Sequence, residues 1–598
     1  MEEQFGRTAT DQPTQRRIYI VDKEAVKAGT AKPNTFKSIQ KAVDEAEPGS
    51  IIRVQPSLYE ESIYIDKPGI IIELGEKPGE ITLQQQIKPC FFINIAPDET
   101  CTINGMRMLL KGPNKDEDIS CGIYKEIHRK VPSIAVLPKN TLDLKNCSFK
   151  GDTTNDAYTT GVLLLKSDAS IYQCQFAHHK SGSIMCDLNP QNKVFIIENQ
   201  IVSSETAGIY IQGKASRPTI KGNKIRYCRS SAIITYLDVD GWILGNEMTI
   251  NDIGIEILNN KSKLIENIIE KSHENGIKVV GDDNNTRSMP SVWKNRVFSC
   301  GHHGILCMGK YCEPDIRGNI IESNRKSGIK LTDDAIAHIG GTTKDEIKIL
   351  PNYNSPNLVA TGAINVTMNR DGTLGGPGET VTGTMKSINK KFIGTVTKEF
   401  NPYVPSINLK SFPNSNIISS NYNQGILIVE GSSAMIYTNK LEKNIKANIA
   451  LGGRGSGQTK IKYNVVENSK SEGIFVVEGE EKLLIEENDV ISNHDGIVLV
   501  QSLGIIRGNR IKENQRSGIL TASDTKAVIE SNNIEENWTA GILIKDPSLP
   551  EIRKNEISKN YYQVQMEKHA KKLWSQYQKE NPKIIGNNEI PKSTCQIF

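Results

Sequence analysis

Asn199-Gln200-Ile201-Val202-Ser203-Ser204-Glu205-Thr206-Ala207-Gly208-Ile209-Tyr210-Ile211 contains the unit from which most of this chain is built. The same frame returns as Asn223-Lys224-Ile225 with Ala232-Ile233, and as Asn267-Ile268-Ile269 with Gly276-Ile277-Lys278-Val279. It returns again as Asn319 with Gly328, Asn416 with Gly425, Asn464 with Gly473 and Asn488 with Gly496. Asn509 with Gly518, Asn532 with Gly541, and Asn555-Glu556-Ile557 continue it. The Asn-to-Gly distance is eight or nine residues, while copies start mostly 21 to 28 residues apart. Fixed spacing inside a copy and variable spacing between copies mean fixed elements joined by one loop that tolerates insertion.

Each copy reads as short strands. Ile201, Ile209 and Ile211 alternate with polar neighbours, the period of a strand. Runs of three to five residues are too short for helices, and β-branched residues suit a half-buried pleated surface. The Gly before each Ile is expected to allow a bend or a positive φ, and the Asn to tolerate a left-handed backbone and bond its own turn. The fifth residue after that Asn is usually Asn, Ser or Cys, as in Ser204, Cys228, Asn251, Asn324, Asn421 and Asn514. Stacked at one corner, these residues predict a side-chain ladder along the long axis. Three strands of about four residues per turn of about 23 make an all-β, single-stranded right-handed parallel β-helix, a solenoid. About twenty turns at roughly 4.8 Å give a rod on the order of 100 Å.

Composition fits that picture. Among 598 residues there are 48 Gly and only 6% aromatics, as expected where one small aliphatic layer is copied. Lys+Arg 73 against Asp+Glu 69 leaves +4, which argues against a polyanion partner held by bulk charge, so no nucleic acid is expected. No run of eighteen apolar residues exists, so no membrane span is expected. Residues 1–20 lack an apolar core, so no secretory signal is expected, and the 11 cysteines read as free thiols of a reducing compartment.

The copies resemble the β-helix repeats of pectate lyase-like proteins and of the carbohydrate-binding and sugar-hydrolase group. The segment Phe36-Lys37-Ser38-Ile39-Gln40-Lys41-Ala42-Val43, running on to Pro48-Gly49 and Ile51-Ile52-Arg53-Val54, resembles the start of such proteins. Ile39, Ala42, Val43 and Ala46 would lie on one face of a short helix that plugs the first turn. The resemblance spans about 35 to 560. It is similar, in its β-helix part only, to intracellular F-box and SHC-binding-type β-helix proteins.

Along the chain, residues 1–16 read as a disordered arm and 17–143 as a cap with irregular turns, including a charged loop over 114–130. Residues 144–331 form a regular block, 332–415 an insertion, and 416–560 a second regular block. Within the insertion, 358–364 and 392–396 could form a hairpin or an irregular turn. Residues 561–598 carry a C-terminal helix over 566–579, with Leu573, Trp574 and Tyr577 as cap contacts and a last strand at Asn588-Glu589-Ile590.

Catalytic constellations fail on spacing. Polygalacturonase-like chemistry needs paired carboxylates on one face. Asp282-Asp283 and Gly301-His302-His303-Gly304 approach such a set, but Asn259-Asn260-Lys261 lacks the expected Asp. Arg510-Ile511-Lys512 lies many turns too late. A Ca²⁺ cluster would need more than Asp238, Asp240 and Asp252. Cys300, His302, His303, Cys307 and Cys312 match no zinc spacing, and Cys186 and Cys228 fall at repeat positions. Gly452-Gly453-Arg454-Gly455-Ser456-Gly457 lacks the Lys-Ser/Thr of a phosphate loop.

The sequence therefore predicts no catalytic, cofactor or metal residues. The expectation is a non-enzymatic scaffold: a rigid rod binding other proteins through its lateral faces or the 332–415 insertion. Its expected place is the cytoplasm, in a large assembly of cytoskeletal or ciliary type. A polysaccharide lyase, hydrolase or epimerase relative is the first alternative, and a substrate-recruiting adaptor the second.

Overall fold

The structure is a computed structural model. It describes residues 16–85, 89–95, 99–110, 130–136, 141–151, 158–341 and 415–572, save 283–285 and 454–457. It also describes the two-residue strands Thr367–Met368 and Leu374–Gly375, which pair antiparallel. The arm up to residue 15, the 114–129 loop, the proposed strands at 358–364 and 392–396, the cap contacts Leu573, Trp574 and Tyr577, and the last strand at Asn588-Glu589-Ile590 lie outside these residues.

The chain winds as a right-handed parallel β-helix with three sheets, here A, B and C. One turn illustrates all. Thr219–Lys221 lies in sheet A, Lys224–Arg226 in sheet B and Ser231–Tyr236 in sheet C, and Trp242–Leu244 re-enters sheet A. Every pairing between turns in these sheets is parallel and in register: Ile220 meets Ile243, Ile225 meets Met248 and Ile233 meets Ile255. These inward residues are 0–1% exposed and join one continuous core. Each fully buried Ile contributes about 1.5–3 kcal/mol.

Two side-chain ladders hold the corners. The predicted one lies between sheets B and C: Asn324 Nδ2 donates to Asn421 (3.0 Å), Asn421 to Asn444 (2.9 Å) and Asn514 to Asn537 (2.9 Å). The longer one, between sheets A and B, uses the first Asn of each copy. It runs through Asn199, Asn223, Asn246 and Asn267 at 2.9 Å per step. It continues through Asn464, Asn488 and Asn509, again at 2.9 Å, to Asn555. In this longer ladder each amide also donates to a carbonyl of the turn before, as Asn223 does to Ile196 (2.9 Å), so the buried group is fully used.

Two expectations about the repeat are corrected. The left-handed residue is the one before the Asn, such as Glu198 (φ 55), Gly222 (φ 64) or Glu266 (φ 56), not the Asn itself. The Gly before the sheet C Ile has no positive φ. A Cβ on Gly208 would sit 2.7 Å from the Ala232 carbonyl and 2.8 Å from Ile225 Cγ2, so Gly is demanded by close packing.

Regular winding extends past residue 331. Ile336–Gly340 is a sheet A strand, pairing with Asp315-Ile316 on one side and Ser433–Tyr437 on the other. Asn319 bonds directly to Asn416 (3.0 Å), so the long insertion replaces a two-residue corner between sheets A and B without breaking the rod.

The ends are closed. Helix α1 is Lys23–Lys27, and helix α2 is Ile39–Glu45 with Ile39, Ala42 and Val43 buried. Glu61 accepts from the N–H groups of Ile39 (2.8 Å) and Gln40 (3.0 Å), satisfying the free end of α2. At the other end residues 568–572 begin a helix, whose Ala570 is buried and whose N–H groups meet the Asp546 carboxylate.

Candidate functional site

With the inside of every turn alike, the outward side chains distinguish the three faces. Sheet B is ionic, with Arg296 on Glu322 (2.9 Å) and Arg510 on Asp489 (3.0 Å). Sheet A changes character along the rod. Its later half is an ion zipper in which Lys462, Glu486, Arg507, Glu530 and Arg553 alternate in one column. Burial pushes the Glu486 carboxyl up, but hydrogen bonds from Lys462 and Arg507 outweigh it and hold it below the usual range.

The earlier half of sheet A carries aromatic rings. Phe195 and Trp242 stand in one outward column with Thr219 between them. Trp293 stands two turns further on in the adjacent column. Lys263 lies 5.1 Å from the Trp242 ring centre. Trp293 Nε1 donates to Asp315 (3.2 Å), which also receives Arg317 Nε (2.6 Å) and faces His338 Nδ1 (3.0 Å). Burial pushes the Asp315 carboxyl up, and His338 and Arg317 together bring it below its ordinary value.

Sheet C is apolar inside and, over two long stretches, outside as well. Its outward column runs Leu163, Met185, Tyr210, Ile234, then Glu256 and Lys278 joined at 2.8 Å. After Leu306 and Lys330 it runs Leu427, Ala450, Phe475, Val498, Leu520 and Leu543. Val498, Leu520 and Leu543 are 6%, 5% and 9% exposed and form a second apolar cluster outside the main core, with Tyr562 and Ala540. Phe475, Val500 and Ala522 pack against it half-buried.

The residues singled out from sequence are scattered. Asp282 follows a sheet C strand and exchanges hydrogen bonds with Asn259 (2.6 and 3.0 Å). Asp283 lies outside the described residues. His302 and His303 precede the next sheet C strand, Ile305–Met308, so the strand separates them from the corner of Asp282 by about 13 Å. Burial, then Lys330 and Lys326, lower His303 to about 3, and its Nδ1 accepts from Ser327 N–H (3.2 Å), a structural neutral ring. Arg510 and Lys512 are in ion pairs and Ile511 is core. Asp238 and Asp240 pair with Lys261 (3.1 Å) and Lys263 (2.5 Å), while Asp252 faces His273 (2.9 Å) at another corner. Cys186, Cys228, Cys300, Cys307 and Cys312 are buried. Burial raises Cys300 to about 11 and Cys228 to about 12, which makes them poor ligands and nucleophiles. Gly452 and Gly453 end a sheet C strand, and 454–457 lie outside the described residues. Among the described residues no group of three His, Cys, Asp or Glu could hold a metal.

Sequence reasoning missed both distinctive faces, although signals exist. Gly496-Ile497-Val498-Leu499-Val500 and Gly541-Ile542-Leu543-Ile544 are unbroken apolar runs, the mark of a strand covered on both sides. Phe195 and Trp242 each precede a ladder Asn by four residues, an outward position of sheet A.

Comparison with known proteins agrees with this architecture. No curated protein matches the chain. Solved structures similar to it include a double mutant of the periplasmic alginate epimerase AlgG, at 13% identity and TM-score 0.35, covering 73% of this chain and 79% of that one. The GH136 lacto-N-biosidase from Eubacterium ramulus gives 12%, 0.37, 54% and 66% respectively. The family 28 exopolygalacturonase of Yersinia enterocolitica gives 8%, 0.30, 78% and 76%. These likenesses concern the fold. The expectation of a non-enzyme does not stand beside them, because enzymes are among the similar structures. Among the described residues no helix is long and apolar enough to cross a membrane. The family model described as "Right handed beta helix region" matches residues 126–288, 242–368, 407–504 and 451–590, together more than two thirds of the chain. With the three in-register sheets and two Asn ladders, that match makes the chain a member of the right-handed β-helix family.

Proposed function

We propose that the protein is a rigid rod that binds another protein along the outer face of sheet C. One observation carries this reading: the outward column from Leu427 to Leu543 contains no charge over six consecutive turns, while sheets A and B in the same turns are ionic. Exposed contiguous apolar patches mark interaction surfaces, and Leu427, Phe475, Val500 and Ala522 keep this face partly open to solvent around the nearly buried Val498, Leu520 and Leu543. A stiff, capped rod also presents its face without reorganisation on binding. Cross-linking of the native complex, read by mass spectrometry, tests it. Cross-links concentrated beside sheet C, and loss of the stoichiometric partner on Phe475→Glu with Val500→Glu at unchanged melting temperature, are expected. Cross-links on sheet A or B, or a partner retained by the double variant, would sink the reading.

A second reading rests on the aromatic row of sheet A. Phe195, Trp242 and Trp293 recur every second turn, about 10 Å apart. That repeat is close to two rings of an extended sugar chain, and flat rings with polar neighbours suit such a ligand. Affinity electrophoresis against a panel of polysaccharides decides: retardation lost in Trp242→Ala supports this reading, and no retardation of the natural protein rejects it.

A further inference from the structure

We infer that the corner between sheets B and C, where Arg325, Tyr422, Ile445 and Lys470 stack, binds an extended acidic segment of a partner protein. The pattern recognised is two carboxylates four residues apart with one apolar side chain midway. This surface lies outside the sheet C face and stands independently of it. The four residues come one per turn. Each donates its N–H to the carbonyl of the ladder residue one turn earlier, namely Cys300, Asn324, Asn421 and Asn444 (2.9, 2.9, 3.0 and 3.2 Å). The four positions therefore stack in register as cation, ring, aliphatic chain and cation. Tyr422 and Ile445 are 58% and 40% exposed, and Arg325 and Lys470 are exposed too. Lys326 and Lys446 stand in the next column, on either side of Asn423.

The patch carries charge without counter-charge. Arg317, Lys440 and Lys462, on the other two sheets of these turns, hold carboxylates at 2.6, 3.0 and 2.5 Å. Arg325, Lys326, Lys446 and Lys470 are in no ion pair among the described residues. Lys443 reaches Glu442 at 3.7 Å, but Lys440 already holds that carboxylate. Glu472, on the sheet C side, is half-buried and accepts from Ser471 (2.6 Å). The basic stretch is local. Glu274 stands on the same corner two turns before Arg325, and Glu513 two turns after Lys470. Spacing fixes the form of the ligand. Arg325 and Lys470 are three steps, about 14 Å, apart. In an extended chain, side chains four residues apart share one face and lie about 13 Å apart. The residue midway then meets Tyr422 and Ile445. A helix separates residues four apart by only about 6 Å, too little to reach both cations. Single-stranded nucleic acid fits less well, because it is held on a series of rings, and this column offers Tyr422 beside an aliphatic neighbour.

Fluorescence anisotropy at low salt tests this with the whole protein and labelled peptides. One peptide carries Glu-Thr-Phe-Thr-Glu between Gly-Ser flanks. A second, of the same composition, has its two Glu adjacent, and a third has Lys in place of both Glu. The first is expected to bind at least about tenfold more tightly than either other, and to weaken as salt is raised. Arg325→Glu with Lys470→Glu, both at exposed positions, is expected to turn the preference to the Lys peptide. Tyr422→Ala is expected to weaken the first peptide about fivefold. Phe475→Glu with Val500→Glu is expected to leave its binding unchanged. No binding of the first peptide, equal binding of the second, indifference to Tyr422→Ala, or an unmoved preference in the charge-reversed variant overturns the inference. A single-stranded oligonucleotide that binds more tightly than the first peptide, and is lost in the charge-reversed variant, assigns the ridge to nucleic acid and overturns it too. Loss of the first peptide in the Phe475→Glu, Val500→Glu variant places its binding on sheet C, which overturns this inference and leaves the sheet C reading standing.

Discussion

Ile519 and Leu520 are neighbours on one strand, Ser517–Ala522, and look in opposite directions. Ile519 points into the common core at 0% exposed, and Leu520 points out of sheet C at 5%. On sheet A of the same turn the corresponding outward residues are Ile505 and Arg507, the latter ion-paired to Glu486. Inside, the three sheets of these turns share one aliphatic layer, to which sheet A and sheet B strands give one central residue and sheet C strands two, as with Ile497 and Leu499. Outside they differ: the same coils carry a second apolar layer on sheet C and an ion zipper on sheet A. The fold thus constrains the inner positions alone and leaves each outer face free to be specialised. What the rod does must therefore be read from outward residues.

Three substitutions in this region measure that contrast. Ile519→Ala should cost about 2–5 kcal/mol, because the stacked layers above and below prevent collapse of the cavity. Urea unfolding followed by circular dichroism measures it. Leu520→Ala should cost about 1–2 kcal/mol, the transfer term of a nearly buried side chain. Ile505→Ala, half-buried on sheet A, should cost under about 1 kcal/mol. If Leu520→Ala proves as mild as Ile505→Ala, the outer layer of sheet C is not a second core. If it equals Ile519→Ala, that layer is as tightly packed as the interior.

The inside was legible from sequence and the outside was not, for one physical reason. Inner positions obey a repeating steric rule: Ile at the centre of each strand, Asn at a corner, Gly where a Cβ would meet the next turn. That rule leaves a periodic trace, as in Asn488 to Gly496 and Asn509 to Gly518. The fold class and the B–C ladder follow from that trace. The longer A–B ladder was missed because an Asn beginning a turn has an adequate local reading, while its real partners, such as Asn509 for Asn488, lie 21 residues away. The outer faces have no repeating rule, so Trp242 and Trp293 read as isolated rings until register placed them on one sheet. The candidates from motif spacing failed for the same reason. Asp282 and His302 are close along the chain, but a sheet C strand stands between their corners. The insertion boundary also shifted, since Ile336–Gly340 keeps the sheet A register although its sequence lacks the Asn–Gly frame.

The smallest expected effect belongs to the ion zipper, and pH brings it out. Glu486 sits between Lys462 and Arg507, and its carboxyl in the folded chain titrates below the ordinary value of 4.5. A depressed folded pKa means the unfolded state binds more protons through this interval. The stabilisation is therefore fully present above the unfolded pKa and is lost as pH falls through the folded pKa. Glu486→Gln should consequently flatten the acid limb of the stability–pH curve while changing stability near neutrality by about 1 kcal/mol or less, since Lys462 and Arg507 keep contact with water. Leu520→Ala should instead lower the whole curve evenly, because no proton moves. Urea midpoints measured across the acid range separate the two behaviours. An acid limb unchanged by Glu486→Gln would mean the sheet A zipper is mere surface charge, and the contrast with sheet C would then be one of packing alone.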